Sequence, residues 1–255
     1  DKVVLNGKFS EFAADWPCLK GKIIWFNQRY KDCKHQVYQR YNNQLGYCTT
    51  GSDQFVALLD EADLNLMGDY NLENCLAAIA AVQDDVSLDN IKIAVRNFKG
   101  LEHRLEFIRE IDQVKFYNSS IDSSPERSKH TLSAFIEQGI PTVLIMGGKD
   151  KNSDYCGLGK IVAAATDKLI LCGDNAELIE NQVKREAHQI GKSASSMQII
   201  HCDNYEDAIE KACRLASPGE SIILSPAGTS FDRFKNFEER GNYFKKLVNG
   251  LFGGH

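Results

Sequence analysis

Three stretches of this 255-residue sequence concentrate groups that can hold an anion. The densest runs from Ser225 to Gly241, SPAGTSFDRFKNFEERG, and combines a Pro and Gly turn, the hydroxyls of Thr229 and Ser230, three phenylalanines and a run of charges. A second is Gly147-Gly148-Lys149-Asp150-Lys151, where glycines let the backbone approach a ligand and Lys151 can deliver a point charge. The third, Asn118 to Pro125, is crowded with hydroxyl and amide groups. It ends on Pro125, a favoured first helical residue, with Ser124 as the cap. A helix start there offers unpaired N–H groups and a positive dipole end. The chemistry is recognition of a carboxylate or phosphate by ammonium, hydroxyl and backbone donors. Each stretch also has a plainer reading: a serine-rich turn, a solvated turn, and a turn leading into an amphipathic helix with its phenylalanines in the core. The last does not explain the hydroxyls ahead of the helix. A dinucleotide loop fits the second stretch poorly, because its glycines are not spaced G-x-G-x-x-G.

Each stretch follows a short apolar run: VKFYN (114–118), TVLIMGG (142–148) and SIILSP (221–226). With RLEFI (104–108), KLILCG (168–173) and MQIIHC (197–202), these alternate with helical patterns at PERSKHTLSAFIEQ, IVAAAT, NAELIENQVKREAHQI and YEDAIEKACRLA. Buried strands alternating with amphipathic helices predict a doubly wound, mostly parallel sheet, and ligands of such folds collect outside the carboxyl ends of the strands. Residues 1–97 read differently. Strand-like runs (KVVLN, GKIIWFN, QLGYCTT, QFVALL) precede two helices, LENCLAAIAAV capped by Asn71 and LDNIKIAVRNF capped by Ser87. FKGLEH (98–103) interrupts the periodicity, so two domains are expected, 1–97 and 98–255.

The composition, 43% hydrophobic and 25% charged, is that of a globular protein. A net charge of −5 argues against nucleic acid or an anionic membrane as partner and favours small molecules. The eight cysteines (18, 33, 48, 75, 156, 172, 202, 213) form no C-x-x-C pair and read as reduced core residues of a cytoplasmic protein. No histidine spacing outlines a metal site. No apolar run of membrane length and no signal peptide is evident. The chain starts at Asp1 and enters a strand-like run at once, which reads as part of a longer protein.

SPAGTSFDRFKNFEERG closely resembles the S-P-A-x-x-S-x-D-x-F-K-x-F-E-x-R-G signature of the Mur ligase family. GDYNLENCLAAIAAV, GLEHRLEFI, YNSSIDSSPE and GGKDKNSDY resemble, in the same order, four further motifs of that family, the last two those of its D-glutamate-adding branch. The resemblance implies that residues 1–97 are the latter half of a mixed α/β ATPase domain and 98–255 the amino-acid-binding domain. It implies an ATP- and Mg²⁺-dependent amide ligase of peptidoglycan synthesis. There ATP phosphorylates the carboxylate of UDP-N-acetylmuramoyl-L-alanine, and the D-glutamate amine attacks the acyl phosphate. Carried over residue by residue, Lys151, Ser123, Ser230, Phe231 and Phe237 are expected at the D-glutamate, and Asn71, Asn74, Arg104 and Ser119 at the nucleotide. No residue is assigned to catalysis or to a metal.

Two positions depart from the family pattern. Tyr70 stands where His is usual, and Ser119 replaces an Asp associated with the ribose, with Asp122 three residues on as a candidate substitute. No G-x-x-G-K-[ST] occurs in the sequence, so the chain alone is expected to be monomeric, to bind no cofactor tightly and not to turn over ATP. Two other readings remain: a non-catalytic glutamate- or nucleotide-binding module, and a ligase like folylpolyglutamate synthase.

Overall fold

The computed structural model describes residues 2–10, 22–27, 36–49 and 54–251. Cys18 and Cys33, and the outer residues Gly21 and Thr50 of two predicted strands, lie outside them. The chain divides into two compact units, Asp1–Lys99 and Gly100–His255.

In the first unit, strands β1 (Lys2–Asn6), β2 (Lys22–Phe26), β3 (Gln36–Tyr41), β4 (Gln44–Cys48) and β5 (Phe55–Asp60) form one sheet in chain order. β1, β2 and β3 pair in parallel, and β3, β4 and β5 antiparallel. β3 escaped the sequence reading because Gln36, Gln39 and Arg40 break its apolar run; Val37 and Tyr38 become buried through pairing with β2 and β4. Asn42 and Asn43 both take left-handed backbone, the conformation a two-residue hairpin turn needs. Helix α1 (Asp69–Val82) starts before the expected cap. Gly68 is the cap, Asp69 places its acid in the first turn where the dipole favours it, and Asn71 lies inside the helix with its Nδ2 donating to the Met67 carbonyl at 2.7 Å. Helix α2 (Leu88–Asn97) is capped as expected, Ser87 Oγ accepting from Asn90 N. Ile24, Tyr38, Leu45 and Leu59 of the sheet meet Leu76, Ile79 and Ala80 of α1 and Ile91 of α2.

The second unit is the expected parallel α/β fold. Its strands are β6 (Glu106–Ile111), β7 (Val114–Asn118), β8 (Thr142–Met146), β9 (Thr166–Leu171), β10 (Gln198–His201) and β11 (Ser221–Leu224). Helices α3 (Pro125–Glu137), α4 (Leu158–Ala165), α5 (Ala176–Glu186), α6 (Tyr205–Leu215) and α7 (Phe237–Asn249) connect or follow them. The sheet order is β10-β9-β8-β11-β7-β6, with only the β6–β7 pairing antiparallel. β6 begins two residues later than predicted, because His103 and Leu105 adopt left-handed backbone ahead of it.

Side chains alternate across the strands. Phe116, Val143, Ile145 and Ile222 join Ile209 of α6 and Phe244 of α7 in one core, whereas the neighbouring Tyr117 turns to the other face and meets the Phe135 ring of α3 edge-on at 5.2 Å. Helices thus cover both faces. β11, last in the chain, inserts between β7 and β8, with Leu224 in register with Asn118 on one side and Ile145 on the other. That insertion brings the three chemically dense stretches to one edge.

Candidate functional site

Backbone bonds join the three loops. Ser119 N donates to the Leu224 carbonyl at 2.8 Å and Gly147 N to the Pro226 carbonyl at 2.9 Å. Lys149 and Thr229 form an antiparallel bridge, each N–H donating to the other's carbonyl at 2.8 and 2.9 Å. Gly147 is required at its position. Its φ is +122°, and a Cβ there would stand 2.4 Å from the Cys172 carbonyl oxygen.

Behind the loops lie buried polar side chains. Arg240, in the first turn of α7, is 0% exposed; its Nε donates to Ser120 Oγ at 3.0 Å, Nη2 to the Ser120 carbonyl at 2.8 Å and Nη1 to the Gly228 carbonyl at 3.0 Å. It clasps the first loop to the third, and burial lowers its pKa. Asn175, on the loop after β9, accepts from Gly148 N at 2.8 Å and donates to Tyr155 Oη at 2.9 Å and the Ala227 carbonyl at 3.3 Å. Tyr155 Oη in turn donates to Asp150 Oδ1 at 3.1 Å, so the turn carrying Lys151 is braced from below. Neither Arg240 nor Asn175 was singled out from sequence as a site residue. The signal for Arg240 is its match to the Arg before the final Gly of the S-P-A-x-x-S-x-D-x-F-K-x-F-E-x-R-G signature; for Asn175 it is only a polar side chain following the Gly173 turn.

α7 is placed by its own start. Asn236 Oδ1 accepts from Glu239 N, and Glu239 returns to Lys235 N, both within 2.8 Å. The next residue pair explains itself sterically: a Cβ on Gly241 would lie 2.2 Å from Nδ1 of His103, a buried ring whose pKa desolvation lowers. His103 also meets Asn118 Nδ2 at 3.0 Å and the Phe237 ring edge-on at 6.1 Å. The residue before the expected nucleotide contact Arg104 therefore touches the residue expected beside the amino acid.

Of the residues expected at D-glutamate, Lys151 and Phe231 come together: both are exposed, and Nζ sits 5.3 Å from the ring centroid. Ser123 and Phe237 are half-buried, on the first loop and at the start of α7. Ser230 is buried, and its carbonyl accepts from Arg233 N and Phe234 N. The third stretch is thus a turn and then a helix, with Phe234 against the core and Phe231 in solvent.

Of the residues expected at the nucleotide, Arg104 is exposed ahead of β6, and Ser119 is buried, its hydroxyl accepting from Leu105 N at 3.3 Å and pairing with Thr131 Oγ1 at 3.2 Å. Asn71 and Asn74 lie in the first unit, one turn apart on α1, Asn71 half-buried and Asn74 exposed. Asp122 is 3% exposed. It faces inward, where Ser225 Oγ donates to its Oδ2 at 2.7 Å. Ser124 is the α3 cap residue by position but makes no side-chain cap bond. The described cysteines are free, but Cys156 is exposed and does not belong to the core.

Residues 103–228 match the family described as Mur ligase, glutamate ligase domain. The chain is 46% identical over 254 residues to the UDP-N-acetylmuramoylalanine–D-glutamate ligase of Acetivibrio thermocellus, covering 98% of this chain and 52% of that protein. It is 40% identical over 253 residues to the same-named ligase of Ruminiclostridium cellulolyticum, with the same coverage. The chain therefore spans about half the length of the curated relatives it matches. Among solved structures, the folylpolyglutamate synthase of Mycobacterium tuberculosis shares its fold with a TM-score of 0.63 at 13% identity, covering 99% of this chain and 56% of that one. The UDP-N-acetylmuramoylalanyl-D-glutamyl-2,6-diaminopimelate–D-alanyl-D-alanyl ligase of Acinetobacter baumannii does so with a TM-score of 0.62 at 15% identity, covering 97% and 51%. The ordered motifs, the three-loop edge and these relatives agree that the chain belongs to the Mur ligase family.

Proposed function

We propose that residues 98–255 hold the incoming amino acid of an ATP-dependent ligase that joins D-glutamate to UDP-N-acetylmuramoyl-L-alanine in peptidoglycan synthesis. The observation that carries this reading is the pairing of Lys151 with Phe231 on two loops locked together by the Lys149–Thr229 bridge. An ammonium held over an aromatic face suits a small dianionic amino acid, with a charge-assisted bond for a carboxylate and an apolar surface for the short carbon chain, and Ser123 on the first loop would add a hydroxyl donor. The roles of these residues are to bind and orient, leaving the amine free to attack an acyl phosphate whose phosphate then departs. ATP, with Mg²⁺, would form that acyl phosphate. Among the described residues no group of His, Cys, Asp or Glu is placed to hold a metal ion.

Arg104, Ser119, Asn71 and Asn74 belong to the same proposal as nucleotide-side residues. Ser119 would act there through its packing, because its hydroxyl, N–H and carbonyl are all engaged internally. Residues 1–97 would be the latter half of the ATPase domain. No described helix is long and apolar enough to cross a membrane, and a cytoplasmic location goes with the proposal. The folylpolyglutamate reading shares the fold, but the relatives at 40–46% identity carry the D-glutamate ligase name.

The test is a titration of the 255-residue chain with D-glutamate, following the amide resonances of residues 147–151 and 228–232, with L-glutamate as control. Saturable shifts that favour the D-isomer are expected. Lys151→Ala should weaken binding roughly tenfold to hundredfold, the range for loss of a hydrogen bond to a charged group. No saturable shift, or unchanged affinity in Lys151→Ala, rejects the assignment.

A further inference from the structure

Asp122 is a buried carboxylate without an ion-pair partner among the described residues. Arg127 and the buried Arg240 act on it through charge without bonding to it: Arg127 sends its Nη1 to the Ile121 carbonyl, and Arg240 its guanidinium to Ser120 and Gly228. The groups that meet the carboxylate are hydroxyls from three different elements. Ser225, at the end of β11, donates to Oδ2 at 2.7 Å and lies 2.9 Å from Ser128 Oγ of α3. The hydroxyls of Thr131 of α3 and Ser119 of the first loop also favour its charged form, against the effect of burial. The loop folds tightly around it, Asp122 N donating to the Ser119 carbonyl at 2.9 Å and Ser123 N to the Ile121 carbonyl at 2.7 Å.

Burying a carboxylate without a directly bonded cation is costly, and burial here pushes its pKa up. Packing alone would be served better by an apolar side chain of similar volume. What the carboxylate adds is geometry. Its Oδ2 accepts from Ser225 on the strand leading into the third loop, and Ser225 in turn meets Ser128 of α3, so one side chain of the first loop sets the register between the two loops that flank the site. The residue it directly precedes is Ser123, on the rim.

We propose that Asp122 is a positioning residue for the amino-acid site: through its hydroxyl cage it holds Ser123 and the first loop at a set distance from the third loop, without touching the ligand. This rests on the amino-acid-binding reading above. Asparagine keeps the shape and can accept from Ser225 while donating to Ser119 or Thr131, whereas alanine leaves the cage without a centre.

The D-glutamate titration is therefore run on the parent chain, Asp122→Ala, Asp122→Asn and Ser225→Ala, with urea unfolding of each. The expected result is affinity lowered about tenfold or more in Asp122→Ala, restored to within a few-fold of the parent in Asp122→Asn, with the Ser123 amide shift displaced in the alanine variant only. Ser225→Ala, which removes the donor and leaves the carboxylate, should weaken binding in the same direction and decides the matter if Asp122→Ala does not fold. Parent-like affinity in either Asp122→Ala or Ser225→Ala overturns the proposal. So does an Asp122→Asn chain as weak as Asp122→Ala, which would mean that charge rather than position matters. A parent chain with no saturable shift instead rejects the amino-acid site itself, and this role with it.

Discussion

Arg240, Asn175 and Asp122 stand behind the three loops at 0, 0 and 3% exposure, whereas Lys151 and Phe231 stand in front of them in solvent. Arg240 and Asp122 come from the same dense stretches of sequence as Lys151 and Phe231, and Asn175 from the loop after β9, but the two layers have opposite physical tasks. Behind the loops every polar group is committed to another loop: Arg240 to Ser120 and Gly228, Asn175 to Gly148 and Ala227, Asp122 to Ser225. At the rim, Lys151 and Phe231 touch each other and leave their remaining surface open. The polar residues of these stretches thus divide into those that shape the loops and those left open to solvent, the ones proposed to meet the amino acid, and burial separates them. Loss of a hydrogen-bonding group at the back should cost stability, while change at the rim should cost affinity alone.

The largest effect that tests this division is expected from Arg240→Met, which removes the donors to two buried carbonyls. Each unsatisfied group costs about 1–3 kcal/mol, so a loss of roughly 2–4 kcal/mol in urea unfolding is expected. A variant as stable as the parent would show that the back layer is not holding the loops. Lys151→Ala, by contrast, should unfold within about 0.5 kcal/mol of the parent, as surface changes do. A larger loss there would move Lys151 out of the rim class.

Asp122 tests the back layer through pH. Its folded pKa lies above the ordinary carboxylate value because of burial, so the folded chain holds this proton more tightly than the unfolded one. The stabilisation is fully present below the ordinary value, about 4, and is lost as pH rises through the raised one. Asp122→Asn has no proton to lose and should melt at a higher temperature than the parent at neutral pH, the gap closing as pH falls toward that value. A gap that does not narrow on acidification means that Asp122 is not the group responsible. The smallest effect belongs to Phe231→Ala. Losing an exposed cation–π contact, worth about 0.5–1 kcal/mol, should weaken D-glutamate binding about twofold to fivefold with no change in unfolding. A loss as large as that of Lys151→Ala would make the ring itself a primary ligand contact.

Much of the second unit was legible before its structure. VKFYN is β7 residue for residue, and the apolar runs read as strands overlap β8, β9, β10 and β11, because a buried parallel strand is a local apolar run; the antiparallel edge strand β6 was caught in part, through Phe107 and Ile108. β3 was not legible, since its burial comes from its neighbours, nor was the true start of α1, where Gly68 rather than Asn71 is the cap. Sequence by itself determined the alternation of strands and helices, the loops that carry the chemistry and the family to which the chain belongs. Their spacing and composition are properties of short segments.

Only the tertiary structure decided that β11 lies between β7 and β8, so that loops more than 70 residues apart in the chain meet at one edge. It likewise decided that Ser119, Ser230 and Asp122 turn inward while Lys151 and Phe231 turn out. A hydroxyl or carboxylate has the same composition whether it faces solvent or a neighbouring loop. Which of the two it faces depends on hydrogen-bond partners that strand order brings together.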